Sequence, residues 1–169
     1  AYYYPSAGNL ADGTKVALTG TNTPSIEGAM GYGCYATGAT SISSSAGDLA
    51  LGSADEFTFM ATLKPNDPGA STDVFFQASG NSNNRAFQAY ITSVNKVGVV
   101  FNDAAVSLVS ATTYDCDGVQ PLAITVTYDR TLANNNAKLY VNGKLEDTAD
   151  YTTVFSGTTS QTVWIASAK

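Results

Sequence analysis

Residues 122–145, LAITVTYDRTLANNNAKLYVNGKL, read as two β-hairpins that share a strand. Leu122, Ile124, Val126 and Tyr128 alternate with Ala123, Thr125 and Thr127, which sets one apolar face against one small, polar face. Asn134, Asn135 and Asn136 make a polar turn. In the strand that follows, Leu139 and Val141 share a face. Asn142-Gly143 then supplies a strong hairpin signal, because both residues tolerate the positive φ of a type I′ turn. Lys144 and Leu145 begin the return strand.

Working outward, the same pattern recurs. Phe57, Phe59, Ala61 and Leu63 point one way, and Thr58, Met60 and Thr62 the other. Pro65 to Ser71 ends that strand. Val74 to Ala78 is the next, followed by the polar loop Ser79 to Asn84. In Arg85 to Thr92, Phe87, Ala89 and Ile91 alternate with Gln88 and Tyr90. Lys96 to Phe101 returns, Val106 to Val109 is short, and Thr162 to Ala166 comes last. Toward the N-terminus the strands are Ala1 to Pro5, Val16 with Leu18, Tyr32 to Ala36 and Thr40 to Ile42. Asn22 to Gly33 and Ser43 to Asp55 read as loops. No amphipathic helix of three turns is present. Short strands with short turns predict an all-β, antiparallel fold of two packed sheets, a sandwich or jelly roll. At 169 residues, with no linker or repeat, the chain reads as a single domain, 1–169.

Fourteen acidic and eight basic residues leave a net charge of −6, and the basic residues are scattered. That argues against nucleic-acid or anionic-membrane partners. No apolar run approaches the ~20 residues of a membrane span, so no membrane insertion is expected. The chain opens on Ala1 without a signal peptide, which suggests a processed or excised piece of something larger. Cys34 and Cys116 are far apart in sequence; a disulfide across the core and two buried free thiols are both open readings. There is no histidine, which excludes Ser/His/Asp and Cys/His catalysis and histidine-based zinc sites.

Several stretches, in order, resemble the concanavalin A-like, laminin-G-like jelly-roll superfamily in its bacterial and viral branch. AYYYPSAGNLAD is similar to its opening strand and loop, and GAMGYGCYATGATSIS to the strand that crosses the core. DEFTFMATLKP resembles F-T-I-S-A-W-V-K-P, with Thr62 where the family has Trp. RAFQAYITSVNKVGVVF resembles the G-F-x-L-x-I-x-x-x-G-x-L hairpin, and PLAITVTYDRTLANNNAKLYVNGKL resembles H-V-A-V-T-Y-D-x-x-x-x-x-L-Y-V-N-G. TVWIASAK is similar to L-x-I-G-x-x. The resemblance implies a final closing strand, F-x-G-x-I-D-x-V-R-I-Y, which has no counterpart before Lys169. Either the domain is truncated or a later segment or a neighbour supplies that strand. The edge beside Tyr2, Tyr3 and Tyr4 is then expected to be open or capped by another segment.

The resemblance implies calcium held at the sandwich rim by hard oxygen ligands, with Asp12, Asp115 and Asp117 as candidates. Asp also favours turns for backbone reasons, so the same residues are explained without a cation. The glycosidase branch places Glu-x-Asp-x-x-Glu on one strand. Glu27, Glu56 and Glu146 are dispersed here, so no enzyme is expected. Asp115 and Asp117 could share a face as a carboxylate pair, about 5–9 Å apart, of the kind glycoside hydrolysis needs, but a turn with solvated acids is the favoured reading. The fold's concave sheet implies a sugar surface, for which the outward alternate positions Gln88, Tyr90, Thr125, Thr127 and Tyr140 are candidates: rings stack on sugar faces, and amides and hydroxyls bond sugar OH groups. High β propensity accounts for Tyr and Thr at these positions equally well. Asn84 and Arg85, at the end of the NSNNR loop, are a second candidate. The expected function is a non-catalytic recognition module that binds glycans or a surface polymer outside the cell or on a virion, within an adhesin or fibre. The alternative is a structural virion or appendage subunit acting through protein contacts, as a homo-oligomer or with other subunits.

Overall fold

The computed structural model describes residues 19–20, 23–28, 31–35, 42–43, 56–79, 85–103, 106–152 and 162–165. Strands run in chain order as β1 (Thr19–Gly20), β2 (Thr23–Gly28), β3 (Gly31–Tyr35), β4 (Ile42–Ser43), β5 (Glu56–Leu63), β6 (Asp73–Ser79) and β7 (Arg85–Ile91). They continue as β8 (Val97–Phe101), β9 (Val106–Val109), β10 (Leu122–Asp129), β11 (Ala137–Val141), β12 (Lys144–Ala149) and β13 (Thr162–Ile165). Among the described residues one sheet has the order β12-β11-β10-β5, a second the order β1-β4-β13-β6-β7-β8-β9, and β2 pairs with β3. All pairings are antiparallel. This is the two-sheet sandwich that the alternation predicted.

The two hairpins of residues 122–145 form as expected. Ile124 opposes Val141 and Val126 opposes Leu139, and all four are buried. Asn142 and Gly143 have φ of 52° and 80°, the left-handed pair of a type I′ turn, and Val141 closes on Lys144. Asn142 Oδ1 also accepts from the Ala123 amide at 2.9 Å, which ties the turn to β10. The run of three asparagines does more than turn the chain. Asn136 is buried; its Nδ2 donates to the Tyr151 carbonyl and its Oδ1 accepts from the Tyr151 amide, both at 2.7 Å. The side-chain amide thus pairs like a piece of strand and satisfies two buried backbone groups.

The core lies between the two sheets and is built around aromatic rings. Phe57 and Phe59 on β5 meet Phe76, Phe87 and Phe101 on β6, β7 and β8, with centroids 5.7 Å apart for Phe57–Phe87 and 4.6 Å for Phe59–Phe76. Tyr128 and Tyr151 continue the cluster, Tyr151 stacking on Phe101 at 5.5 Å. Offset and edge-on arrangements of this kind add to the burial of the rings. Because β5 and β10 turn Phe57, Phe59, Ile124 and Val126 inward, Thr58, Met60, Thr125 and Thr127 are left on the opposite surface.

One loop expectation is corrected. Residues 22–33, read as a loop, contain β2 and the start of β3, with Pro24 opposite Cys34. Proline lacks the N–H of a ladder and is disfavoured in central strands; among the described residues β2 pairs with β3. The proposed strands at Ala1 to Pro5 and at Val16 and Leu18, and the edge beside Tyr2, Tyr3 and Tyr4, lie outside the described residues.

Candidate functional site

The outer face of the seven-stranded sheet carries an ordered chain of polar side chains. Gln77 on β6 and Gln88 on β7 stand directly opposite, and Gln88 Nε2 donates to Gln77 Oε1 at 2.8 Å. Arg85 Nη1 donates to Gln88 Oε1 at 3.2 Å. Arg85 Nε donates to Asp103 Oδ1, also at 3.2 Å, and the Arg85 amide donates to the same oxygen at 2.9 Å. Asp103 follows β8 with φ of 56°, and its own amide donates to the Arg85 carbonyl. That left-handed position turns the carboxylate back toward the start of β7. Each member of the chain therefore fixes the next, and the guanidinium is oriented by a carboxylate on one side and an amide on the other.

Tyr90 lies beside this chain. It opposes Gly98, and its ring lies over that glycine so closely that a Cβ there would stand 2.7 Å from the phenol oxygen. Glycine at 98 is what lets the ring lie flat on β8. Burial is the main influence on the phenol and pushes its pKa up, while nearby Arg85 pulls it down. Val74 and Val100 are buried on this same outer face and stand outside the core cluster. Gln88 is only 5% exposed. It positions Arg85 and Gln77, and the accessible groups are Arg85, Gln77 and Tyr90, each half-buried.

The sequence-based candidates fall on two surfaces. Arg85, Gln88 and Tyr90 belong to the seven-stranded sheet. Thr125, Thr127 and Tyr140 belong to the four-stranded sheet, on its outer side. The core lies between them, so one ligand cannot touch Tyr90 and Tyr140 together. This corrects the single surface expected from alternation, which says which residues point outward and not on which side of the sandwich they emerge. Asn84 lies outside the described residues. Gln77 and Asp103 were missed. The signal for Gln77 was the dipeptide Phe-Gln repeated at 76–77 and 87–88, which in antiparallel strands brings the two amides face to face.

The rest of the second surface is a cross-strand row. Met60 opposes Thr125, Thr125 opposes Tyr140, and Tyr140 opposes Leu145. Met60 is 74% exposed and Leu145 48%.

Asp117, proposed for calcium, directs Oδ1 to the amides of Val119 at 2.7 Å and Gln120 at 3.3 Å. That is the backbone role of a turn aspartate. Asp115 is exposed, and Asp12 lies outside the described residues, among which no group of three or more Cys, Asp or Glu side chains comes together to hold a metal ion. Between Asp115 and Asp117, Cys116 is a buried free thiol, so the disulfide reading is not met at Cys116; the side chain of Cys34 lies outside the described residues. Burial, then Asp67, Asp115 and Asp117, push the Cys116 thiol up, away from the reactive thiolate.

Glu146, a bulge residue between β11 and β12, is held as an anion at a pKa of about 2. The Lys144 ammonium at 2.8 Å, the Thr112 amide at 2.8 Å and the Thr112 hydroxyl at 2.9 Å hold it there. Next to it, Asp147 Oδ2 accepts from the Val109 amide on β9 at 2.9 Å. Two carboxylates of β12 thus satisfy backbone donors beside the edge strand of the other sheet and pin the layers together. A carboxyl ionised at this depth is no proton donor near neutral pH.

A two-sheet sandwich with an ordered polar face is the architecture of a jelly-roll domain. Residues 36–169 match the family described as the Concanavalin A-like lectin/glucanases superfamily, and the chain belongs to it. No curated protein sequence matches the chain. Among solved structures, the CBM40 of Ruminococcus gnavus IT-sialidase, bound to alpha2,6 sialyllactose, is 20% identical with a TM-score of 0.50, over 66% of this chain and 64% of that one. The chain therefore spans less than two thirds of that structure. A botulinum neurotoxin type C structure, whose description concerns interaction with two ganglioside molecules, is 14% identical with a TM-score of 0.62, over 95% of this chain and 42% of that one. The Emp47p carbohydrate recognition domain is 18% identical with a TM-score of 0.57, over 96% of this chain and 86% of that one. At these identities the likeness is one of fold.

Proposed function

We propose that the chain is a non-catalytic glycan-binding module whose site is the outer face of the seven-stranded sheet around Arg85, Gln77 and Tyr90. The observation that carries this reading is the hydrogen-bonded chain Gln77–Gln88–Arg85–Asp103 beside a half-buried ring, placed on the face that does not build the core. The arginine and two amides are ordered on a surface outside the core cluster. Such groups suit a hydroxyl-rich ligand: planar, preorganised donors meet sugar hydroxyls, and a ring covers an apolar sugar face. Descriptions of similar structures as bound to sialyllactose, dependent on gangliosides or recognising carbohydrate support the class of ligand. The module would act on an extracellular or virion surface.

The test is a glycan array followed by calorimetry on the intact chain, with and without calcium. Binding that is lost in Arg85→Ala is the expected result. Absence of binding to every glycan at millimolar concentration refutes the proposal. A second reading, a structural subunit working through protein contacts, is favoured by the exposed row Met60–Thr125–Tyr140–Leu145. It predicts that Met60→Ser with Leu145→Ser changes the oligomeric state in sedimentation and leaves glycan binding alone.

A further inference from the structure

The outward positions of β5 and its next residue are Glu56, Thr58, Met60, Thr62 and Lys64, and all five are exposed. Their order is symmetric about Met60: a threonine lies two residues away on each side, and opposite charges lie four residues away on each side. At about 3.4 Å per residue, Glu56 and Lys64 stand about 14 Å from Met60 in opposite directions. Neither side chain joins an ion pair or hydrogen bond among the described residues. Across the sheet, Met60 begins the exposed row Met60, Thr125, Tyr140 and Leu145. Asp129 stands opposite Glu56 and widens the acidic end of the face. On β11, Lys138 lies two residues to one side of Tyr140, and Asn142 two residues to the other.

We propose that this face docks against the same face of a second copy of the chain, about a two-fold axis running along the Met60–Leu145 row. Such an axis reverses strand direction and keeps each position along the row. Met60 then meets Met60 of the second copy, and Thr58 meets Thr62. Glu56 of each copy faces Lys64 of the other, so two ion pairs bracket an apolar centre. Lys138 faces Asn142, and these positions bring no like charges together. A two-fold contact needs a patch complementary to itself, and the E-x-T-x-M-x-T-x-K order of residues 56–64 is one. Four strands about 4.8 Å apart and about 27 Å long give a footprint of roughly 500 Å² per copy, roughly 1,000 Å² for the pair. That area is the lower bound of a specific interface, so the dimer is weak and depends on concentration. The inference does not rest on glycan binding. The Arg85 face lies on the other side of the core, and in the dimer the two Arg85 faces point away from each other.

The test is sedimentation equilibrium of the intact chain from ~10 μM to ~1 mM, the range of a weak interface, beside Glu56→Lys, Lys64→Glu and the chain carrying both. The unmodified chain is expected to pass from monomer to dimer. Each single variant is expected to dimerise at least ~10-fold more weakly, because like charges then face each other at both ends. An equimolar mixture of the two single variants restores opposite charges at both ends, as does the double variant, and each is expected to regain the unmodified affinity. Met60→Ser is expected to weaken the dimer about tenfold and decides the matter where a charge variant does not fold. A chain that stays monomeric to ~1 mM overturns the inference. So does a dimer indifferent to Met60→Ser, or one whose folded charge variants are not restored by mixing. A dimer that binds no glycan leaves this inference standing and overturns the glycan reading; a glycan-binding monomer does the reverse.

Discussion

Replacing Gly98 with alanine tests the geometry of the site without touching a polar group. Gly98 is not in the left-handed region, so alanine meets no backbone penalty. It should even gain about 0.4–1 kcal/mol, because alanine loses less conformational freedom on folding. Against this stands Tyr90. The new Cβ would lie 2.7 Å from the phenol oxygen, with two ring carbons nearer still, where ordinary contact begins at 3.4 Å. The ring must lift, and overpacking of this kind costs about 1–3 kcal/mol. Gly98→Ala alone should therefore be neutral to destabilising by about 2 kcal/mol. In a Tyr90→Ala background the obstruction is gone, and the same substitution should stabilise by about 0.4–1 kcal/mol. The coupling between the two positions, read from urea unfolding of the four proteins, is then about 1–3 kcal/mol. Effects of the same sign that agree to within about 0.5 kcal/mol in the two backgrounds would refute the placement of the Tyr90 ring over β8.

Other outcomes follow from the same contacts. Asn136→Ala strands the buried amide and carbonyl of Tyr151 and should cost about 2–5 kcal/mol in urea unfolding, with a shift of midpoint at constant slope. Glu146 has its pKa depressed from 4.5 to about 2, so the native state releases that proton more readily than the unfolded chain. Its stabilising contribution is complete above about 4.5 and is lost as pH falls toward about 2. Melting temperatures across that window should fall less steeply for Glu146→Gln, starting from a lower value at neutral pH. Tyr140→Ser lies on the sheet face away from Arg85, so its glycan affinity in calorimetry should match the unmodified chain; a tenfold loss would place the site on the four-stranded sheet instead.

Much of the fold was legible in local pattern. The alternation in β10 and β5 put Ile124, Val126, Phe57 and Phe59 toward the core, and Asn142-Gly143 turned the chain where its chemistry demands. Residues 22–33 read as a loop because proline and glycine usually mark loops, whereas the pairing of β2 with β3 is a long-range matter of register that local composition does not carry. The role of Asn136 was hidden because its partner, Tyr151, is fifteen residues away. Asp103 was hidden for the same reason: nothing adjacent to it says that its carboxylate returns to Arg85.

Taken alone, the order of residues determined the strand class, the inward and outward sets and the turn chemistry. Each of these depends on periodicity, local φ preferences or composition, which act over a few residues. Which outward residues stand together was decided by strand order in the two sheets. Alternation makes Tyr90 and Tyr140 equivalent. Pairing of β7 with β6 and β8, and of β11 with β10 and β12, sends them to opposite sides of the aromatic core. A binding surface is a neighbourhood across strands, and long-range hydrogen bonding chooses those neighbours.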